Sequence, residues 1–195
     1  GSLFNYAKLV DVSKKVIYRM SAETVYAQQQ KGQEFQPDFG RKLASDPDYA
    51  KAILAIGRGG KKPRKDLATW VDAKEYMGFF YDEYLEKPVF DEKFDKALIA
   101  DVLDRFLDGF DIAADSTAWF NKVKAITEAI GFTTDMKAYK QSPEAFPGTV
   151  ADVSTFLRLA VTGKTNSPDL YTVMHLLGHD RTVERIHSAL ALLLG

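Results

Sequence analysis

The stretch Asp115-Ser-Thr-Ala-Trp-Phe-Asn-Lys-Val-Lys-Ala-Ile-Thr-Glu-Ala-Ile-Gly131 decides the fold class. Trp119, Val123, Ile126 and Ile130 recur at intervals of three and four, so a helix gathers them into one stripe. A strand would scatter the same residues over both of its faces. Asp115 or Ser116 supplies an N-cap, and Gly131 a C-terminal stop. Working outward, the same punctuation repeats. Ser21 caps a segment running through Val25 and Tyr26 to Gly32, and Asp46-Pro47 opens a helix whose Tyr49, Ile53 and Ile56 share a face up to Gly57. Tyr76, Phe80 and Tyr84 recur every fourth residue, with Phe79 beside them, which predicts one long helix from Val71 to Glu86, stopped by Lys87-Pro88. Leu98, Val102 and Phe106 build the next amphipathic face. Three compact helices follow: Val150 to Val161, closed by Gly163; Pro168 to Leu177, capped by Ser167 and closed by Gly178; and one after Asp180 that turns Val183, Ile186, Leu190 and Leu193 inward.

No segment alternates apolar and polar residues with β-branched enrichment, and no Asn-Gly or Asp-Gly hairpin signal occurs. The expected fold is all-α, a helical bundle or cage of about ten helices in two packed subdomains. Lys87-Pro88 is the best seam, dividing the chain into 1–88 and 89–195. Helix spacing is fairly even, but no sequence self-similarity at a fixed period supports a solenoid.

Composition narrows the function. Across 195 residues, 26 Lys+Arg stand against 27 Asp+Glu, a formal charge of −1. No global positive field draws such a chain to nucleic acid or membrane, so any nucleic-acid role must come from a local patch. The absence of Cys rules out disulfides, thiolate metal sites and a cysteine nucleophile, and fits a reducing cytoplasm. Apolar runs such as Ala189 to Leu194 are far shorter than a membrane span, and the first residues carry no signal-peptide pattern. A cytoplasmic chain without a membrane partner is the expectation.

The sharpest charge feature is Arg58-Gly-Gly-Lys61-Lys62-Pro-Arg64-Lys65, five cations within eight residues on a Gly- and Pro-bearing loop. Phosphates would relieve their mutual repulsion and release counterions, while water alone would also solvate them. The loop lacks the spacing of a phosphate-cradling P-loop. His175 and His179 stand one helical turn apart, but Gly178 separates them and no Glu follows the first, so no zinc site is expected. The carboxylate pairs Asp82-Glu83 and Asp91-Glu92 read as capping and surface acids, and no G-x-S-x-G elbow occurs, so no catalytic residue is assigned. Trp70, Tyr76, Phe79, Phe80, Tyr81 and Tyr84 have rings that suit base stacking, yet their helical spacing favours core packing.

Several segments are more particular. Lys62-Pro-Arg-Lys-Asp-Leu-Ala-Thr-Trp70, Trp119-Phe-Asn-Lys-Val-Lys124 with Gly131-Phe132, Leu157-Arg-Leu-Ala-Val-Thr-Gly163, Ser167-Pro-Asp-Leu-Tyr171, Leu176-Leu-Gly178 and Arg185-Ile186 occur in this order. Together they resemble the C-terminal half of glutamyl-tRNA synthetases, over nearly the whole chain. The resemblance implies an all-α cage around the anticodon arm of a glutamate-accepting tRNA, with residues 1–88 as helical linker and first anticodon-binding subdomain and 89–195 as the second. It implies that an ATP- and Mg-dependent catalytic domain is missing here and would be an intramolecular partner. The HIGH and KMSKS motifs of that domain are absent, and Arg19-Met-Ser-Ala-Glu23 echoes the latter without its lysine. The expectation is a monomeric binding fragment, with no cofactor of its own, that does not aminoacylate alone.

By the same resemblance, Arg158 contacts the anticodon, with Ser167 and Leu170 lining the pocket and Thr162, Gly163 and Lys164 forming the adjoining turn. An arginine near the 58–65 loop would read the third anticodon base, with Arg58 and Arg64 both candidates, while Lys61, Lys62 and Lys65 meet backbone. Lys137 to Gly148 is longer than in shorter family members, and Lys137 and Lys140 are further phosphate candidates. The rival reading is a helical protein–protein scaffold, which needs an exposed apolar patch and not Arg158.

Overall fold

The computed structural model describes residues 22–31, 37–56 and 73–195. Among them the regular structure is helical, and the fold is all-α. The chain divides into two compact units, Gly1–Leu85 and Glu86–Gly195.

In the first unit, α1 spans Ala22–Lys31, α2 Pro37–Ser45, α3 Pro47–Ala55 and α4 Ala73–Met77. The sequence reading did not include α2. It starts on a proline, whose missing N–H costs nothing in a first turn. Asp46 alone separates α2 from α3, and its carboxylate accepts the Tyr49 N–H at 3.0 Å. Ala50, Ile53 and Leu54 turn the inner face of α3 into the core.

The expected long helix from Val71 to Glu86 is not one helix. The α-helical turns end at Met77, and 3-10 turns follow at Gly78–Phe80 and Asp82–Tyr84. The cause is burial. Phe79, Phe80 and Tyr81 are consecutive and all buried, whereas one face of an α-helix buries only every third or fourth residue. Tyr81 is met edge-on by Tyr49 at 5.6 Å between ring centroids and by Phe39 at 6.2 Å. The Tyr49 hydroxyl donates to the Phe80 carbonyl at 3.2 Å. Phe79, Phe80 and Tyr81 are therefore core, as their spacing favoured. Trp70 and the side chain of Tyr76 lie outside the described residues.

The second unit holds α5 Lys96–Leu107, α6 Ser116–Ala129, α7 Met136–Gln141, α8 Val150–Thr162, α9 Leu170–Leu177 and α10 His179–Leu194. Helix α10 packs on α5, α8 and α9, and α8 also packs on α5 and α6. For α6 the cap is Asp115, which accepts the Ala118 N–H at 2.8 Å. Val123 and Ile126 of its stripe are buried, while Trp119 is half-buried. The Trp119 indole N–H points at the Met174 sulfur at 3.4 Å. A parallel bridge joins Thr133 to Thr149, through Thr133 N–H to the Gly148 carbonyl and Val150 N–H to the Thr133 carbonyl, both 3.0 Å. It anchors the start of α8. Among the described residues no helix is long and apolar enough to cross a membrane.

Candidate nucleic-acid interface

Helix α8 positions the segment that the sequence singled out. At its start the Asp152 carboxylate reaches back to the Thr149 N–H at 2.8 Å, satisfying a donor the helix leaves open. Val153, Phe156, Leu157 and Ala160 carry the helix into the core. It stops at Gly163, in the left-handed region at φ 71°, where the N–H returns to the Leu159 carbonyl at 2.8 Å. A Cβ there would stand 2.3 Å from the Glu86 carbonyl oxygen, so glycine is required by both conformation and space.

Three side chains shape the turn that follows. The Thr162 hydroxyl donates to the Arg158 carbonyl at 2.8 Å and accepts the Lys164 N–H at 3.1 Å. Arg158 reaches across the turn: its Nη1 donates to the Pro168 carbonyl at 3.0 Å and to the Ser167 hydroxyl. That hydroxyl in turn donates to the Pro168 carbonyl at 2.8 Å. Ser167 does not cap α9, contrary to the sequence expectation. Its hydroxyl is engaged by Arg158 and Pro168, and the helix begins two residues after Pro168. Asp169 takes the capping role, accepting the Thr172 N–H at 3.0 Å and its hydroxyl at 2.7 Å.

Of the residues singled out, Arg158, Thr162, Lys164, Ser167 and Leu170 come together at this α8–α9 junction. They do not all face solvent. Thr162 is 0 % exposed, Leu170 2 % and Ser167 8 %, while Arg158 and Lys164 are half-buried. Thr165 and Asn166, at the tip of the turn, are exposed. Sequence reasoning passed over them, although a segment between Gly163 and Pro168, flanked by two helices, is where accessible polar groups collect. Arg58, Lys61, Lys62, Arg64 and Lys65 lie outside the described residues. Lys137 and Lys140 sit exposed on α7.

The histidine pair does not form a ligand set. His175 Nδ1 faces the Tyr171 carbonyl at 3.1 Å, His179 Nδ1 faces Asp180 at 2.9 Å, and Gly178 interrupts the helix between them. Among the described residues no group of three or more His, Asp or Glu is placed to hold a metal ion.

Residues 41–190, the α8–α9 junction included, match the anticodon binding domain family. The chain belongs to that family. Relatives agree with it. This anticodon binding domain is 42 % identical over 193 residues to a glutamate–tRNA ligase of Sorangium cellulosum, covering 95 % of this chain and 33 % of that protein. It is 35 % identical over 198 residues to a glutamate–tRNA ligase of Clostridium perfringens, covering 98 % of this chain and 36 % of the other. The chain thus spans about a third of the length of the curated relatives it matches. The crystal structure of a glutamate tRNA ligase from Elizabethkingia meningosepticum, in complex with its amino acid, shares the fold with a TM-score of 0.60 at 18 % identity, over 97 % of this chain and 33 % of that one.

Proposed function

We propose that this chain binds the anticodon arm of a tRNA, as the anticodon-binding third of a glutamate–tRNA ligase working in the cytoplasm. The observation that carries the reading is the family match over 41–190, which takes in the whole α8–α9 junction. Sequence-specific RNA recognition targets unpaired loop bases read on their edges, and that needs polar groups held at a fixed spacing. The junction offers such groups. In this reading Arg158, Lys164, Thr165 and Asn166 face the RNA, while Thr162, Ser167 and Leu170 support them from below. The 58–65 loop adds phosphate contacts. The tRNA is a glutamate acceptor, and the chain acts as a monomer. The ligase activity, with ATP, belongs to the remaining two thirds of the relatives' length.

The test is fluorescence anisotropy of a labelled glutamate-tRNA anticodon stem-loop, beside a loop with a changed anticodon and an Arg158→Ala chain. Saturable binding weakened by either change is expected. Equal binding of both loops, lost at higher salt, would reduce the interface to phosphate attraction. One observation favours a second reading: Val89 and Leu192 are exposed large apolar residues lining a hollow of about 400 Å3, as a protein-docking face would be. No RNA binding at low salt would turn the assignment to that scaffold role.

A further inference from the structure

Glu86 meets the α8–α9 turn in two ways. Its backbone carbonyl occupies the space that only a glycine at 163 leaves open. Its carboxylate Oε1 lies 3.4 Å from Lys164 Nζ, across 78 positions of sequence. The lysine keeps 22 % of its side chain exposed and the glutamate 61 %, so the cation sits low in the turn and its counter-charge sits at the surface. Beside them is an open hollow of about 380 Å3 lined by Glu86, Val89, Leu159, Lys164, Thr165 and Asn166.

A phosphate entering that hollow would need the same ammonium group that Glu86 holds. The geometry points to Glu86 as a competitor: resting on the anticodon reading above, we propose that Glu86 occupies Lys164 in the free chain and must yield it to an RNA phosphate. The effect is to hold down sequence-blind affinity while leaving base recognition to the neighbouring groups. Glu86 is rooted by its own backbone against Gly163, so its carboxylate starts close to Lys164 at little entropic cost. A half-exposed ion pair has a modest strength, and releasing it should tighten RNA binding roughly two- to fivefold.

The test is a double-mutant cycle of Glu86→Gln and Lys164→Gln, read as Kd for the matched and changed anticodon stem-loops at two salt concentrations. Circular dichroism on each variant first establishes that it is folded. Glu86→Gln should tighten both loops by a similar factor, leaving their ratio unchanged, and the gain should shrink at the higher salt as screening weakens the original pair. In the Lys164→Gln background the same change should do nothing. An unchanged or weakened affinity in folded Glu86→Gln overturns the proposal, as does an equal gain without Lys164. These outcomes leave the anticodon reading standing, because the unsubstituted chain still discriminates the two loops. If the unsubstituted chain binds neither loop, that reading fails and this one with it.

Discussion

The guanidinium of Arg185 donates to the Val161 carbonyl at 2.8 Å across 24 positions of sequence, joining α10 to the last turn of α8. Carbonyls in a final helical turn lack intrahelical partners, and a cation there also meets the negative end of the helix dipole. Arg185 is buried, so this bond is shielded from water. It steadies the end of α8, from which the turn at 163–168 departs.

Replacing it tests that role. Arg185→Met keeps much of the apolar stem and leaves the Val161 carbonyl without its donor, which should cost about 1–3 kcal/mol. Urea denaturation measures this, and an unchanged midpoint would remove Arg185 from the account.

Gly163→Ala meets both a left-handed backbone and the Glu86 carbonyl. A loss of roughly 2 kcal/mol or more is expected. Thermal melting reads it, with Gly109→Ala as a useful comparison: that glycine is also at positive φ, 65°, but has nothing within 4 Å of a built Cβ. Gly163→Ala should be the worse of the two, since it adds a collision to the same backbone strain.

Arg158→Lys separates charge from geometry. Lysine keeps the cation but not the planar guanidinium whose Nη1 donates to both the Ser167 hydroxyl and the Pro168 carbonyl. Stability should fall by about 1 kcal/mol. Preference for the matched anticodon loop should shrink while the salt dependence of binding stays the same. Weakened binding with undiminished preference would contradict a geometric role for the guanidinium.

Asp152→Ala removes the acceptor of the Thr149 N–H at the start of α8. About 1 kcal/mol is the expected cost, read by chemical denaturation. Asp152→Asn should recover part of it, because the amide oxygen still accepts.

Lys122 gives a pH signature. Burial lowers its pKa from 10.5, and the nearby Asp108 carboxylate offsets this in part. The unfolded chain therefore holds the proton more tightly than the folded one. Stability should rise with pH between the lowered folded value and 10.5, and the penalty is fully present below that interval. The difference in unfolding free energy between the native chain and Lys122→Met should shift in favour of the native chain as pH climbs toward 10.5. A drift the other way would show that the Asp108 charge outweighs burial.

Much of the fold is legible because its signals are local. Asp46 before Pro47, Asp115 before α6 and Gly163 after α8 each act within one helical turn, so neighbouring residues are enough to read them. Where local signals competed, packing chose. The spacing of Tyr76, Phe80 and Tyr84 favours a helix, but three consecutive buried rings cannot share one helical face, and the chain breaks at Tyr81, whose backbone is extended. Ser167 before Pro168 and Leu170 looks like a cap until Arg158, nine positions away, engages its hydroxyl.

The candidate site divides in the same way. Its motif residues are recognisable in sequence as Leu157 to Gly163 and Ser167 to Tyr171, and with them the family. The all-α class and the caps Asp46 and Asp115 also follow from the sequence by itself, since each rests on periodicity or on a hydrogen bond spanning three or four residues. Only the tertiary structure decided which motif residues face solvent and which brace the turn from beneath. It also brought Glu86 to Lys164 and Arg185 to Val161. Such pairings depend on how whole helices pack, and no local pattern along the chain encodes a partner 78 residues away.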